Sequence, residues 1–309
     1  VSRTSLTLVL ADYAFLFASD INRSFIPANL NRWLNKAQFE ANDAGYYQQL
    51  IELFSARPSS SNSLPLAALR GGRANSICAD PCYLHPDRDK LRLFYQDLDI
   101  SMEEAQALCE RVQGLFDEFG ARLTVLTSEQ WLLELEQPAE VEFSKLEGLH
   151  GQTVSGFLPK GATERDWIRL WNEVQMALFD CPENQAREAQ GKVPINSLWF
   201  WGQGTLPDLK RWLHVSGGDE VLKKLAEESH SLFLPDASTY GQINTDNAMH
   251  VIVFDKQQDW QLQIETFSQD WLTPAFQALK HWQLKELKVI VPEWGCYRLT
   301  PLKSWQFWL

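Results

Sequence analysis

Cys78, Cys82 and His85 place three soft donors within eight residues of a 309-residue chain, a spacing that raises tetrahedral zinc. The run ICADPCYL around them alternates as a strand, and residues four apart on a strand point to one face. Both thiols are therefore expected to act as small buried hydrophobes, not as metal ligands. The six histidines, at positions 85, 150, 214, 230, 250 and 281, never form a close pair suited to one metal. His250 opens an apolar strand and is expected to be a hydrogen-bonded core histidine. Gly202 and Gly204 begin like a dinucleotide turn, but Pro207 stands where a third glycine is required. The chain carries neither a G-x-x-x-x-G-K-[ST] phosphate loop nor a G-x-S-x-G nucleophile elbow.

The hydrophobic pattern predicts the elements that hold these residues. Thr7-Leu8-Val9-Leu10 reads as a buried strand ending at Asp12. Leu30, Trp33 and Leu34, then Tyr46, Leu50, Leu53 and Phe54, recur at helical spacing. The stretch ARPSSSNS, ending at Ser63, is the most linker-like in the chain. NSICADPCYL and KLRLFYQDL follow as strands. Ser101 and Glu104 have capping-box spacing ahead of a helix whose apolar face is Ala105, Leu108, Cys109, Val112, Leu115, Phe116 and Phe119. RLTVLT alternates as a strand, and a helix from about Thr163 carries Trp167, Leu170, Trp171, Val174 and Leu178 on one side. HVIVF, ELKVIV and a helix through WLTPAFQAL complete an alternating order that predicts an α/β core.

With 45% hydrophobic and 22% charged residues, the chain has enough apolar surface for a sizeable core. A formal charge of −12 argues against general affinity for nucleic acid, whose phosphates need lysine and arginine fields. No run of eighteen apolar residues predicts a membrane span, and Asp12 interrupts the apolar N-terminal stretch. Five cysteines in a large core-forming chain favour reduced thiols and a cytoplasmic setting.

One segment carries a specific resemblance. CPENQAREAQGKVPINSLWFWGQG (181–204) resembles the cofactor-independent phosphoglycerate mutases of the archaeal type in Asn184, Arg187, Gly191-Lys192, Asn196 and Trp201-Gly202-Gln203-Gly204. RANSICADPCYL with DISMEEAQAL resembles that family's Arg-x-Asn strand and acidic-capped helix. LHGQTVSGFLPKG resembles its Pro-His-Asp…Leu-Pro-Lys-Gly segment, keeping His150 but with Gly151 for the aspartate. Over the whole chain the likeness is to the bacterial regulatory proteins called regulator of pathogenicity factors E. Ala79-Asp80-Pro81, Pro194 to Trp199 and Trp305 to Trp308 carry it.

The resemblance implies an alkaline-phosphatase-like α/β sheet core sandwiched by helices, with an inserted α+β domain. Residues 1–69 and 192–309 would form the core and 70–191 the insertion, with SLWFW as a buried strand of the core sheet. Arg73, Asn75, His150, Asn196 and Gln203 lie in segments that resemble cleft-lining ones, and would bind a small anion such as a phosphorylated three-carbon acid. Active relatives hold two divalent metals, such as manganese, between carboxylates and histidines and use a Ser/Thr nucleophile. Here the opening Asp-Gly motif is reduced to Asp12-Tyr13, and the expected Asp-x-x-x-His reads Asp255 to Asp259 without histidine. Pro292-Glu293-Trp294-Gly295 stands where relatives have Asp-His. Ser24 lies in the nucleophile region without a supporting motif. Asp12 and Asp255 are the remaining metal candidates, and strand-end acids are the expected reading. These departures predict a catalytically degenerate protein without a cofactor, acting in regulation, on a small anion or on a protein partner. The alternative is a metal-dependent mutase or phosphohydrolase with a rearranged site.

Overall fold

In a computed structural model, the protein is described at residues 4–17, 26–57, 64–235, 237–243, 247–253 and 258–304. Ser24, Asp255 and Trp305 to Trp308 lie outside the described residues. The chain divides into two compact units, Val1–Ser59 with Pro207–Leu309, and Ser60–Leu206. The first break falls in the Ser-rich stretch singled out as a linker.

The first unit is an α/β sheet. Its strands are β1 (Ser5–Ala11), β2 (Gln38–Ala41), β10 (His214–Gly217), β11 (Leu232–Leu234), β12 (Ala248–Val253), β13 (Glu286–Val291) and β14 (Gly295–Leu299). They lie in the order β11-β10-β12-β1-β13-β14-β2. The first five in that order run parallel, while β14 and β2 add antiparallel edges. Leu232, His214, Ala248, Leu6 and Leu287 therefore form one row across the parallel strands. Leu6, Leu8 and Leu10 join Val289 and Val291 in a core with Phe267, Trp271, Ala275 and Leu279 of the helices between β12 and β13. The near-continuous apolar runs of β1, β12 and β13 are what a parallel strand covered on both faces requires. One expectation needs correction. The helical spacing from Leu30 to Phe54 is split into Ala28–Leu34 and Tyr46–Phe54 by β2, whose four residues are all exposed. Its alternation, Gln38-Phe39-Glu40-Ala41, is only four residues long and falls between two helical patterns, too short to stand out as a strand.

The second unit is α+β, built on the twelve-residue β3 (Ser76–Asp87). β3 pairs with β4 (Lys90–Phe94), β6 (Trp131–Leu135) and β9 (Ser197–Trp201), and β5 (Ala121–Val125) extends the sheet beyond β6. β7 (Val141–Glu142) and β8 (Lys160–Gly161) form a separate ribbon. The helices Met102–Phe119 and Glu164–Phe179 pack on each other and on this sheet. The predicted capping box is present: Ser101 Oγ accepts from the Glu104 amide at 3.1 Å, and Glu104 accepts from the Ser101 amide at 2.8 Å.

This sheet overturns the expected placement of SLWFW. β9 lies antiparallel to β3, from Cys78 opposite Trp201 to Cys82 opposite Ser197. It belongs to the second unit, so the segment 192–206 is not core-domain chain. Uniform burial along β9 does not tell a parallel strand from the centre of an antiparallel sheet covered by helices.

Candidate functional site

The segment of the strongest resemblance is held together by its own polar side chains. Cys181 precedes the helix Pro182–Ala189, whose first-turn proline suits a position that needs no donor. From that helix Asn184 donates to the Leu178 and Ile195 carbonyls at 2.7 and 2.9 Å and accepts from the Ile195 amide at 2.8 Å. Arg187, fully buried, donates to the carbonyls of Val193, Asp99 and Leu98 and to the Glu104 carboxylate at 3.1 Å. Burial would raise the Glu104 carboxyl, but the Ser101 amide and the Arg187 guanidinium outweigh it and hold it below the ordinary range. Asn196 accepts from the Leu84 amide at 2.7 Å and donates to the Leu84 carbonyl at 3.0 Å, continuing the β3–β9 ladder with a side chain. At the far end of β9, Gly202 has φ +75°, and a Cβ there would lie 2.7 Å from the Cys78 sulfur. Only glycine allows both the turn and that approach.

Beneath this segment lies a cluster for which no role is read from the sequence. Asp80, 3% exposed, accepts from Arg70 at 2.7 Å, from the Trp131 amide at 3.0 Å and from the Trp201 indole at 2.8 Å. Cys78 and Cys82 are fully buried on either side of it in sequence, and burial pushes both thiols well above their ordinary range. His85, by contrast, is exposed and bonds Tyr83. The two thiols and the imidazole thus have opposite surroundings.

The structure does not bring the five anion candidates together. Arg73 is 87% exposed and lies 3.7 Å from Glu134. Asn75 immediately precedes β3, and Asn196 is bound at Leu84, nine residues further along. That separation is about 30 Å at the usual strand rise. His150 lies beside β4, edge-on to Phe94 and Tyr95. Gln203 donates to the Val141 carbonyl at 2.9 Å. Asn196 is thus committed to backbone partners at both ends of its amide, and Gln203 at its nitrogen, while the Gln203 oxygen is buried without a hydrogen-bond partner. His250 is likewise bonded, through Nδ1 to Ser216 Oγ at 2.8 Å, and its ring stacks on Trp271 at 3.6 Å. Burial lowers its pKa to about 3.

Open parallel sheets place ligands at the C-terminal strand ends. In the first unit that edge carries Asp12 after β1, Gly217-Gly218-Asp219 at the end of β10, and Pro292-Glu293-Trp294 between β13 and β14. Asp12 is exposed with φ +64°. Gly217 has φ +72°, and a Cβ would meet the Val251 carbonyl at 2.0 Å. Asp219 caps the helix Glu220–Glu228, accepting from the Leu222 amide at 3.0 Å, and Tyr46 donates to it at 3.4 Å. Burial raises the Asp219 carboxyl above its ordinary range, against the bonds from Leu222 and the hydroxyls of Tyr47 and Tyr46. Tyr46 is itself raised, first by burial and then by the charges of Asp219 and Asp12. Trp294 stacks on Phe17, with centroids 5.7 Å apart, and donates to the Tyr297 hydroxyl at 3.0 Å. Sequence reasoning missed Asp219, although its place after two glycines and before EVLKKLAEE is a capping signal.

Comparison with known proteins supplies a relationship at this point. The chain is similar to cofactor-independent phosphoglycerate mutases. It is 33% identical over 152 residues to a probable 2,3-bisphosphoglycerate-independent phosphoglycerate mutase of Geobacter sulfurreducens, covering 40% of this chain and 36% of that protein. It is 24% identical over 154 residues to the corresponding mutase of Methanothrix thermoacetophila, covering 50% and 39%. The match therefore spans little more than a third of the length of these curated relatives. Among solved structures, a cofactor-independent phosphoglycerate mutase of Thermoplasma acidophilum aligns over 96% of this chain and 90% of its own, at 14% identity and TM-score 0.45. No family model matches the chain.

A two-metal phosphoryl-transfer centre needs several carboxylates and imidazoles converging on one point. Among the described residues, no three His, Cys, Asp or Glu side chains form a group that could hold a metal. The donors at the described strand ends do not fit such a centre. Asp219 is a helix cap surrounded by phenols, and the indole of Trp294 has no lone pair to offer. Among the described residues, no helix is long and apolar enough to cross a membrane.

Proposed function

We propose that this protein is an alkaline-phosphatase-like, phosphoglycerate-mutase-like protein that no longer transfers phosphoryl groups and works as a cytoplasmic regulatory binding module. The observation that carries this reading is the condition of Asp219. A carboxylate that ligates a catalytic metal is ionised and turns an oxygen to the metal, with its remaining lone pairs taking hydrogen bonds from surrounding groups. This one is half-buried, raised in pKa by the loss of hydration, and its Oδ1 is taken by the Leu222 amide and the Tyr46 hydroxyl. Trp294 at the neighbouring strand turn supports the same reading. The regulatory direction comes from the resemblance to the regulator of pathogenicity factors E proteins. A phosphorylated three-carbon acid is the small ligand to try, with the exposed Arg73 as its first contact.

Calorimetric titration separates this from a metal-dependent mutase or phosphohydrolase. Titration with Mn²⁺ is expected to give no saturable heat at micromolar concentration, and 3-phosphoglycerate at most weak binding that Arg73→Ala diminishes. Micromolar Mn²⁺ binding that Asp12→Ala or Asp255→Ala abolishes would contradict the metal-free reading and favour the metal-dependent alternative.

A further inference from the structure

The seven-stranded sheet of the first unit ends at β2, and that edge is open. All four side chains of β2 are exposed. Phe39 keeps 44% of its surface accessible, although its ring lies 4.8 Å from Tyr297 and 6.0 Å from Trp294. The strand holds no proline, and it runs along β14 from Gln38 opposite Arg298 to Ala41 opposite Gly295 without a bulge. Proline and bulges commonly keep an edge from pairing. β2 is guarded by its shortness and by the one charge of Glu40.

Register decides which backbone groups the edge offers. The Asn42 amide donates to the Trp294 carbonyl at 3.2 Å. Bonded and non-bonded residues alternate along an antiparallel pair, so Gln38 and Glu40 also turn their N–H and C=O groups to β14. Phe39 and Ala41 turn theirs outward. The close approach of the Phe39 and Tyr297 rings agrees, because opposed side chains are nearest at non-bonded pairs.

A second β2 laid antiparallel about a two-fold axis has to match outward residues with outward residues, which sets one residue opposite its own copy. Glu40 opposite Glu40 would oppose like charges directly. Ala41 opposite Ala41 would set Phe39 against Asp43. Gln38 opposite Gln38 would need Lys36 and Ala37, whose amides are bound to the Trp33 carbonyl at the end of the preceding helix. Phe39 opposite Phe39 avoids all three. In that register the two Phe39 residues exchange both backbone bonds and their rings meet on one face. Each Gln38 amide then stands opposite the Glu40 carboxylate of the other copy.

We propose that the protein forms a dimer through β2, two copies joining their sheets antiparallel about a two-fold axis that passes between their Phe39 residues. The edge is its own complement, as an isologous contact requires. The second Phe39 extends the aromatic row of Phe17, Trp294 and Tyr297 beside the turn between β13 and β14. Two exchanged bonds and two rings bury far less than the ~1,600 Å² of a standard interface, so the dimer is weak and depends on concentration. The inference is independent of whether the strand ends bind a ligand.

Sedimentation equilibrium of the full chain, with its free cysteines kept reduced, tests this from micromolar to submillimolar concentration. A monomer–dimer equilibrium is expected. Phe39→Pro removes the outward amide and the ring but no bond to β14, and should leave only monomer, with circular dichroism checking that it stays folded. Gln38→Lys should tighten the dimer several-fold by facing Glu40 of the other copy, and Gln38→Glu should weaken it several-fold by repulsion. Gln38 is exposed, so opposite effects of these two substitutions cannot come from unfolding. A dimer that Phe39→Pro leaves intact, or equal association of the two Gln38 variants, would overturn the proposal. So would a monomer throughout the range, which would leave the edge to a strand of another protein.

Discussion

The 181–204 segment and the C-terminal strand ends of the first unit both put charge and amide groups beside a sheet, but to opposite ends. In the segment, Asn184, Arg187 and Asn196 meet backbone groups with short, complementary hydrogen bonds. At the strand ends Asp219, half-buried beside Tyr46, loses part of its hydration, and its proton affinity rises. The first arrangement stabilises a loop. The second stores an electrostatic cost in a place where ligands usually bind. The polar side chains of the 181–204 segment thus serve its own folding, whatever binds at the strand ends.

The sharpest break in this comparison comes at Asp80. Asp80→Ala would leave the Arg70 guanidinium and the Trp131 and Trp201 donors without their acceptor. Loss of one partner of a buried pair costs about 3–5 kcal/mol. Denaturant unfolding should show that loss, and an effect under 1 kcal/mol would mean that water replaces the carboxylate. Asn184→Ala removes three backbone bonds from a buried site and is expected to cost about 2–3 kcal/mol by the same measurement. Asp219→Ala, which removes a helix cap, should cost only about 1 kcal/mol.

A smaller effect distinguishes the two regions by sign. Glu104 has a depressed pKa in the folded protein, so the unfolded chain takes up its proton first. Its stabilising contribution is complete above the unfolded carboxyl value and is lost as pH falls through the folded one. Asp219 has a raised pKa, so the folded protein holds its proton longer. Its contribution is most favourable in acid and declines as pH rises through the raised value. Asp219→Asn, which keeps a cap acceptor, should therefore gain stability relative to the parent between about pH 4 and 7. Glu104→Gln should lose it over the same range. Parallel pH–stability curves for the two variants would contradict the comparison.

Much of the fold was legible because apolar period is a local signal. β1, β12 and β13, the helix face from Ala105 to Phe116 and the capping box at Ser101 all follow from spacing alone. The placement of SLWFW was not legible, since four consecutive apolar residues after Ser197 carry no information about which sheet they enter. The candidate site was legible mainly as a set of segments. Whether Asn196 faces a cleft or the Leu84 backbone depends on pairing across 112 positions, which no local pattern encodes. Asp219 escaped notice for the converse reason: an aspartate before a helix reads as a cap, and only its contact with Tyr46, 173 positions away, makes it more.

The claim that the strand ends no longer support phosphoryl transfer is tested most directly by turnover. Interconversion of 2- and 3-phosphoglycerate would be followed with the purified full chain in the presence of Mn²⁺. The account predicts a rate equal to the no-enzyme control. A rate above that control, abolished by Asp12→Ala or Asp255→Ala, would contradict it and show that the chemistry survives on these acids.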